Sequence, residues 1–201
     1  MNLYPLAKTV SYWLVRVLFR MRYEGLENIP KDRGFILASN HRSNFDPLFI
    51  AHKIPQQLHY MAKAELFKNP LLGWAMRRVN AFPVQRGKGD TFALEMAGQI
   101  IEKGSILGMF PEGHRSKDGT VQRPHSGIAI IAGQTGAAVL PCAVIYGKKL
   151  GFRTVVTVRY GELISREQLA ADASSPSSIR NCTKRIMGDI VALLLPAGGA
   201  E

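Results

Sequence analysis

An alternation of short apolar runs with segments of helical spacing constrains the fold more than any other feature of the chain. The runs are Phe35–Ser39 (FILAS) and residues 58–62, 82–84, 105–110, 139–146 and 154–160. Helical patterns start at Pro47 and cover residues 71–79, 91–103, 127–136 and 179–195. Runs of this length suit strands, and Phe35–Ser39 and residues 105–110 suit strands buried on both faces. Strands alternating with helices predict an α/β fold, a single domain with a largely parallel central sheet flanked by helices. Gly104 is placed to end the helix before it as a C-cap. Residues 170–178, rich in Ser, Ala and Pro, read as a loop, and no internal repeat is present.

A chain of 201 residues can carry such a core in one domain, expected over residues 25–201. Residues 1–24 read as a separate N-terminal amphipathic helical segment. Leu6, Val10, Trp13, Leu14, Val17, Leu18 and Met21 fall on one helical face, and Lys8, Tyr12, Arg16 and Arg20 step along another. No acidic residue precedes Glu24. An aromatic-bearing apolar face beside a basic stripe fits a helix lying in a lipid headgroup layer. The alternative is a helix packed on the domain with its basic side in water. There is neither a secretory cleavage pattern nor an apolar stretch long enough to span a bilayer.

The charge balance points to an anionic partner. Lys and Arg number 26 against 15 Asp and Glu, a formal net charge of +11. Nucleic acid, a phosphorylated substrate and acidic lipid all satisfy that excess. Zinc-finger spacing and clustered RNA-stacking aromatics are lacking, so no nucleic-acid partner is expected. Gly87-Lys88-Gly89-Asp90-Thr91 is not a phosphate-binding P-loop. Cys142 and Cys182 are isolated thiols that suit a reducing compartment, and Cys142 reads as a small core residue. The histidines show no metal-ligand spacing, so no metal is expected.

Polar clusters follow three of the expected strands: His41–Asp46 after FILAS, Arg86 after residues 82–84, and residues 112–116 after residues 105–110. In parallel α/β sheets, ligands sit beyond the carboxyl ends of the strands. An imidazole is the usual group for taking a proton from an alcohol. A carboxylate on its second nitrogen fixes the tautomer and stabilises the imidazolium that forms. Asp46, five residues beyond His41 across a strand-to-helix turn, can fold back to do this. Asp before Pro is also a good helix start, and the two roles are compatible.

The blocks appear in a fixed order. His41 and Asp46 come first, then Phe82-Pro83-Val84-Gln85-Arg86-Gly87. Phe110-Pro111-Glu112-Gly113-His114-Arg115-Ser116 and Val139-Leu140-Pro141-Cys142-Ala143 follow. Together they resemble the glycerolipid acyltransferase family, in particular its 1-acylglycerol-3-phosphate acyltransferase branch. A lone HxxxxD is a weak signal, whereas its combination with FPVxRG and FPEGxRS is specific. The third block has His114 where many members have Thr, and the second has Asn80-Ala81 where a glycine-led version is common.

The resemblance implies that His41 is the general base and Asp46 its orienting partner, with no acyl-enzyme intermediate. It implies acceptor-phosphate binding by Arg86 and Lys63, and an acceptor site lined by Glu112, Gly113 and Arg115. Pro141 would shape the donor side. The implied acceptor is lysophosphatidic acid, converted to phosphatidic acid in phospholipid biosynthesis; glycerol 3-phosphate or another lysophospholipid is the alternative. Acyl-CoA or acyl-carrier protein would be co-substrate, with no bound cofactor. The expected location is peripheral or monotopic, on an anionic membrane surface at the cytoplasmic face. Each residue also has a plainer reading: Arg86 and Lys63 as solvated charges, Glu112-Gly113 as a tight turn, Pro141 as structural.

Overall fold

The computed structural model describes residues 4–84, 91–116, 118–147 and 149–195 of the chain. The six runs and one further strand lie side by side in a seven-stranded sheet. Its strands are β1 (Arg20–Glu24), β2 (Phe35–Ser39), β3 (Leu58–Lys63), β4 (Ala81–Val84), β5 (Ile106–Met109), β6 (Val139–Ile145) and β7 (Val155–Tyr160), in the order β1-β7-β6-β2-β5-β3-β4. Strands β6, β2, β5, β3 and β4 are mutually parallel. Strand β7 turns back antiparallel to β6, and β1 adds to its far side in parallel. The carboxyl ends of β2 to β6 therefore share one edge of the sheet.

The helices are α1 (Tyr4–Leu18), α2 (Asp46–Ala51), α3 (Pro70–Arg78), α4 (Thr91–Glu102), α5 (Gly127–Thr135), α6 (Arg166–Leu169) and α7 (Pro176–Leu194). One core cluster lies between the sheet and α4, α5 and α7. The other lies beneath α1 and α2. Strand β2 is buried at every position, as the middle strand of a doubly covered sheet requires. Helix α5 ends at Gly136, whose left-handed φ of 65 closes it.

Two expectations need correction. The N-terminal segment is helical only to Leu18; Arg20–Glu24 is a strand and belongs to the sheet. Its residues alternate between exposed and half-buried along the sheet margin, so they carry no apolar run. The basic stripe also divides. Lys8 is half-buried and donates to the carbonyl of Ile54, while Arg16 stays exposed and Arg20 stands on the strand. Tyr4, Val15 and Phe19 are the side chains that bury against the domain. The apolar stripe of Leu6, Val10, Trp13, Leu14 and Val17 points away from it. Among the described residues no helix is long and apolar enough to cross a membrane.

His52, just past α2, helps seat α1. Its Nε2 lies 3.4 Å from Ser11 Oγ, its Nδ1 3.3 Å from Tyr23 OH, and Tyr12 packs edge-on to its ring. Burial, with Lys8 and Lys53 nearby, lowers its pKa from 6.5 to about 4. Between those values the unfolded chain binds more protons than the folded one, so His52 removes stability as pH falls through that window. The unfolding free energy, measured by denaturant titration from pH 7 to pH 4 (about three units, the range over which His52 titrates), should decline less steeply in His52→Gln than in the wild type. Identical slopes would exclude His52 as a contributor.

Candidate active site

The loop after β2 closes on itself around one carboxylate oxygen. Asp46 begins α2, with Pro47 behind it, and is fully buried. Its Oδ2 accepts from the backbone N–H of Arg42 at 2.6 Å and of Ser43 at 2.7 Å. The same oxygen lies 2.9 Å from His41 Nδ1. A carboxylate only accepts, so Nδ1 carries the proton and Nε2 is left as a basic lone pair. The His41 side chain is 17% exposed, so it is held by protein yet opens at the sheet edge.

Phe110, at the end of β5, stacks on the imidazole with centroids 4.1 Å apart and planes inclined by 20°. Tyr60 stacks behind Phe110, and its hydroxyl donates to the carbonyl of Pro47 at 2.5 Å. Gly108 makes room for that ring: a Cβ there would lie 2.5 Å from Tyr60 Cε1. The ring of His41 is thus fixed from its flank as well as through Nδ1.

Glu112 holds the backbone of the same residue. It is 1% exposed; its Oε1 accepts from His41 N–H at 2.8 Å and its Oε2 from Gln122 N–H at 2.8 Å. Both oxygens of the carboxylate are engaged by the chain itself, so its place is that of a brace. Gly113 follows with φ 72, and a Cβ there would stand 2.7 Å from His125 Cδ2, so the turn excludes larger residues. Ser116 N–H closes the loop pair onto the carbonyl of His41 at 2.8 Å. His114 and Arg115 project between these anchors as exposed side chains.

The remaining residues singled out in the sequence fall differently. Lys63 ends β3, is more than half exposed and lies 3.6 Å from Glu65. With strands spaced about 4.8 Å apart, its backbone stands roughly 10 Å from that of His41, with β5 between them. Arg86 lies outside the described residues, just beyond β4, whose Val84 pairs with Lys63. Pro141 is buried within β6, its carbonyl bonded to Gly161 N–H, a position in the sheet rather than at its edge. Burial pushes the Cys142 thiol up, which removes it as a nucleophile.

Two further residues carry the site and were not read from the motifs. Asn40 bridges to β6, accepting from Val144 N–H at 2.8 Å and donating to its carbonyl at 3.1 Å. Arg42 donates to the carbonyls of Tyr146 and Gly147 at 2.9 and 3.2 Å, with its guanidinium 4.2 Å over the Tyr146 ring. Their only signal in the sequence is adjacency to His41. Both tie the His41 loop to the end of β6.

Comparison with known proteins places this geometry in context. The chain is 35% identical to the 1-acyl-sn-glycerol-3-phosphate acyltransferase of Bacillus subtilis over 127 residues, 62% of this chain and 62% of that protein. It is 30% identical to the Streptococcus pneumoniae protein of the same name over 165 residues, 81% of this chain and 57% of that one. The chain thus spans less than two thirds of the length of these curated relatives. A crystal structure of the 1-acyl-sn-glycerophosphate (LPA) acyltransferase, PlsC, from Thermotoga maritima superposes with a TM-score of 0.72 at 26% identity, covering 98% of this chain and 81% of that one. The family model described as Acyltransferase matches residues 20–145, opening with β1 and closing with β6. That span takes in the His41 loop, the Glu112 brace and more than half of the sequence: the chain belongs to the acyltransferase family.

Proposed function

We propose that the protein transfers a fatty acyl group from a thioester to the free hydroxyl of 1-acyl-sn-glycerol 3-phosphate, giving phosphatidic acid. One observation carries the mechanism: the His41 imidazole has Nδ1 on a buried carboxylate, which leaves Nε2 as the accepting nitrogen of a side chain that is 17% exposed. Nε2 takes the proton of the acceptor hydroxyl as its oxygen attacks the thioester carbonyl. Asp46 stabilises the imidazolium. The tetrahedral intermediate then expels the thiolate, which recovers the proton from Nε2, so an ester and a free thiol leave together. No side chain becomes acylated, consistent with the buried, raised thiol of Cys142. No prosthetic group enters these steps; acyl-CoA or acyl-carrier protein is the donor.

Arg115 and Lys63 border the same edge with exposed basic groups, and Arg86 follows the neighbouring strand. We assign them to the acceptor phosphate, for which guanidinium and ammonium donors are suited. Glu112 and Gly113 contribute by shaping the loop. The outward apolar stripe of α1 favours a lipid acceptor presented at a bilayer over free glycerol 3-phosphate; we place that contact on an anionic bilayer at the cytoplasmic face.

The test is direct. Purified protein should acylate lysophosphatidic acid faster than glycerol 3-phosphate and faster than a lysophospholipid lacking a phosphomonoester. Equal rates on all three would remove the phosphate assignment. Lys63→Ala should raise the KM for lysophosphatidic acid roughly five- to tenfold and leave kcat nearly unchanged, since a single exposed charge-assisted contact is lost. An unchanged KM would take Lys63 out of the acceptor site.

A further inference from the structure

The tip between β6 and β7 holds an exposed aromatic side chain that neither the core nor the His41 site uses. Leu150 packs into the cluster beneath α1 and α2, whereas Phe152 is 76% exposed. A phenylalanine left in water forgoes the burial that its ring would gain in a core. The backbone is held in an unusual form to display it. Arg153 has φ 60, the left-handed region that bulky residues seldom adopt.

Contacts with α1 fix that conformation. Arg153 N–H donates to the carbonyl of Leu18 at 2.6 Å, and Arg153 Nη1 to that of Arg16 at 3.2 Å. Arg20 N–H donates to the carbonyl of Thr154 at 2.9 Å. Phe152 is thereby set beside the carboxyl end of α1, where Trp13, Leu14 and Val17 are exposed at 62%, 49% and 61%. Arg16, Arg20, Lys149 and Arg153, on the two segments that these bonds join, are exposed cations, and neither α1 nor residues 146–155 contain an acidic residue. The base of the tip, Tyr146 and Gly147, is where Arg42 anchors the His41 loop.

We propose that residues 149–153 are a second lipid-contacting element. Phe152 enters the headgroup layer of an anionic bilayer alongside the outer face of α1, and Lys149 and Arg153 meet lipid phosphates. The proposal rests on the reading of α1 as a membrane-surface helix. Charge complementarity selects anionic lipid over a second copy of the chain, because two such tips would bring like charges together. The consequence is positional: a bilayer touching the tip also lies next to the loop that carries His41.

Cys142 and Cys182 are buried, so single thiols introduced on the surface of the full chain can be labelled selectively. Phe152→Cys, Val17→Cys and, on the opposite helical layer, Glu102→Cys would each carry an environment-sensitive fluorophore. On mixing with phosphatidylglycerol–phosphatidylcholine vesicles, the labels at 152 and 17 should brighten at least about twofold, shift to the blue and be quenched by nitroxide lipid. The label at 102 should not change. A response at 17 without one at 152 would overturn the tip proposal while leaving α1 at the membrane. Silence at both positions would overturn both. Brightening at 152 that follows protein concentration without vesicles would assign the tip to a second copy and overturn the lipid contact.

Discussion

Asp46→Asn should lower kcat for acyl transfer by about 10²–10⁴-fold, with little change in the KM of either substrate. Asp46 is fully buried, so it cannot touch acceptor or donor, and its effect must pass through His41. Asparagine can keep its carbonyl oxygen where Oδ2 stands and retain the bonds from Arg42 and Ser43. It then lacks the charge that stabilises the imidazolium. Its amide group would take the place of Oδ1, which is buried with no hydrogen-bond partner in the native site. Turning the amide would set its NH2 against the N–H groups of both Arg42 and Ser43, which costs more than one unpaired donor at the Oδ1 position, so the carbonyl oxygen stays toward His41. The base then keeps its tautomer and loses the charge that stabilises it when protonated; a kcat within about threefold of wild type would mean that Asp46 serves only to start α2.

Glu112→Ala should destabilise the fold by about 3–5 kcal/mol and lower Tm by roughly 10 °C. The carboxylate joins two backbone donors far apart in sequence, His41 N–H and Gln122 N–H, each at 2.8 Å. Removing it leaves both donors facing a void in a site that is 1% exposed. Glu112→Gln is no conservative rescue. One of its two terminal atoms is an amide nitrogen, which sets donor against donor at either His41 or Gln122. Scanning calorimetry should therefore order the stabilities wild type, Gln, Ala. A Glu112→Ala protein with native Tm and a raised acceptor KM would return Glu112 to the acceptor pocket as a direct contact.

The legible parts of the fold were those with one dominant cause. FILAS and residues 139–146 read as strands because burial on both faces leaves an unbroken apolar run, and they occupy the centre of the sheet. Arg20–Glu24 did not, because a marginal strand with one wet side carries no such run and continues the helical spacing before it. The short helix α6 escaped for a different reason. It is four residues long and announced only by the Ser165–Gln168 capping box. Spacing could place Lys8 and Tyr12 on one face of α1 but not say which face docks. That is settled by partners just past α2 and on β1: the Ile54 carbonyl, His52 and Tyr23.

The candidate site divides along the same line. His41 and Asp46 were legible because their contact spans five residues across one turn. The brace by Glu112 reaches 71 residues back to His41, and Arg42 reaches 104 residues forward to Tyr146. Neither separation leaves a periodic trace. Phe110 was visible within its motif, but its stacking on the imidazole depends on β5 lying next to β2. Strand order is a tertiary property. Motif resemblance supplied residue names, and topology supplied what those side chains do.

The most direct measurement is the rate of labelled acyl transfer from a thioester to vesicle-borne lysophosphatidic acid by the wild-type chain and by His41→Ala. Circular dichroism and Tm would verify that both proteins are folded. His41 as general base requires phosphatidic acid to form in the wild type and its rate to fall by at least about 10²-fold in the variant. A folded His41→Ala protein that keeps most of the wild-type rate would contradict that role.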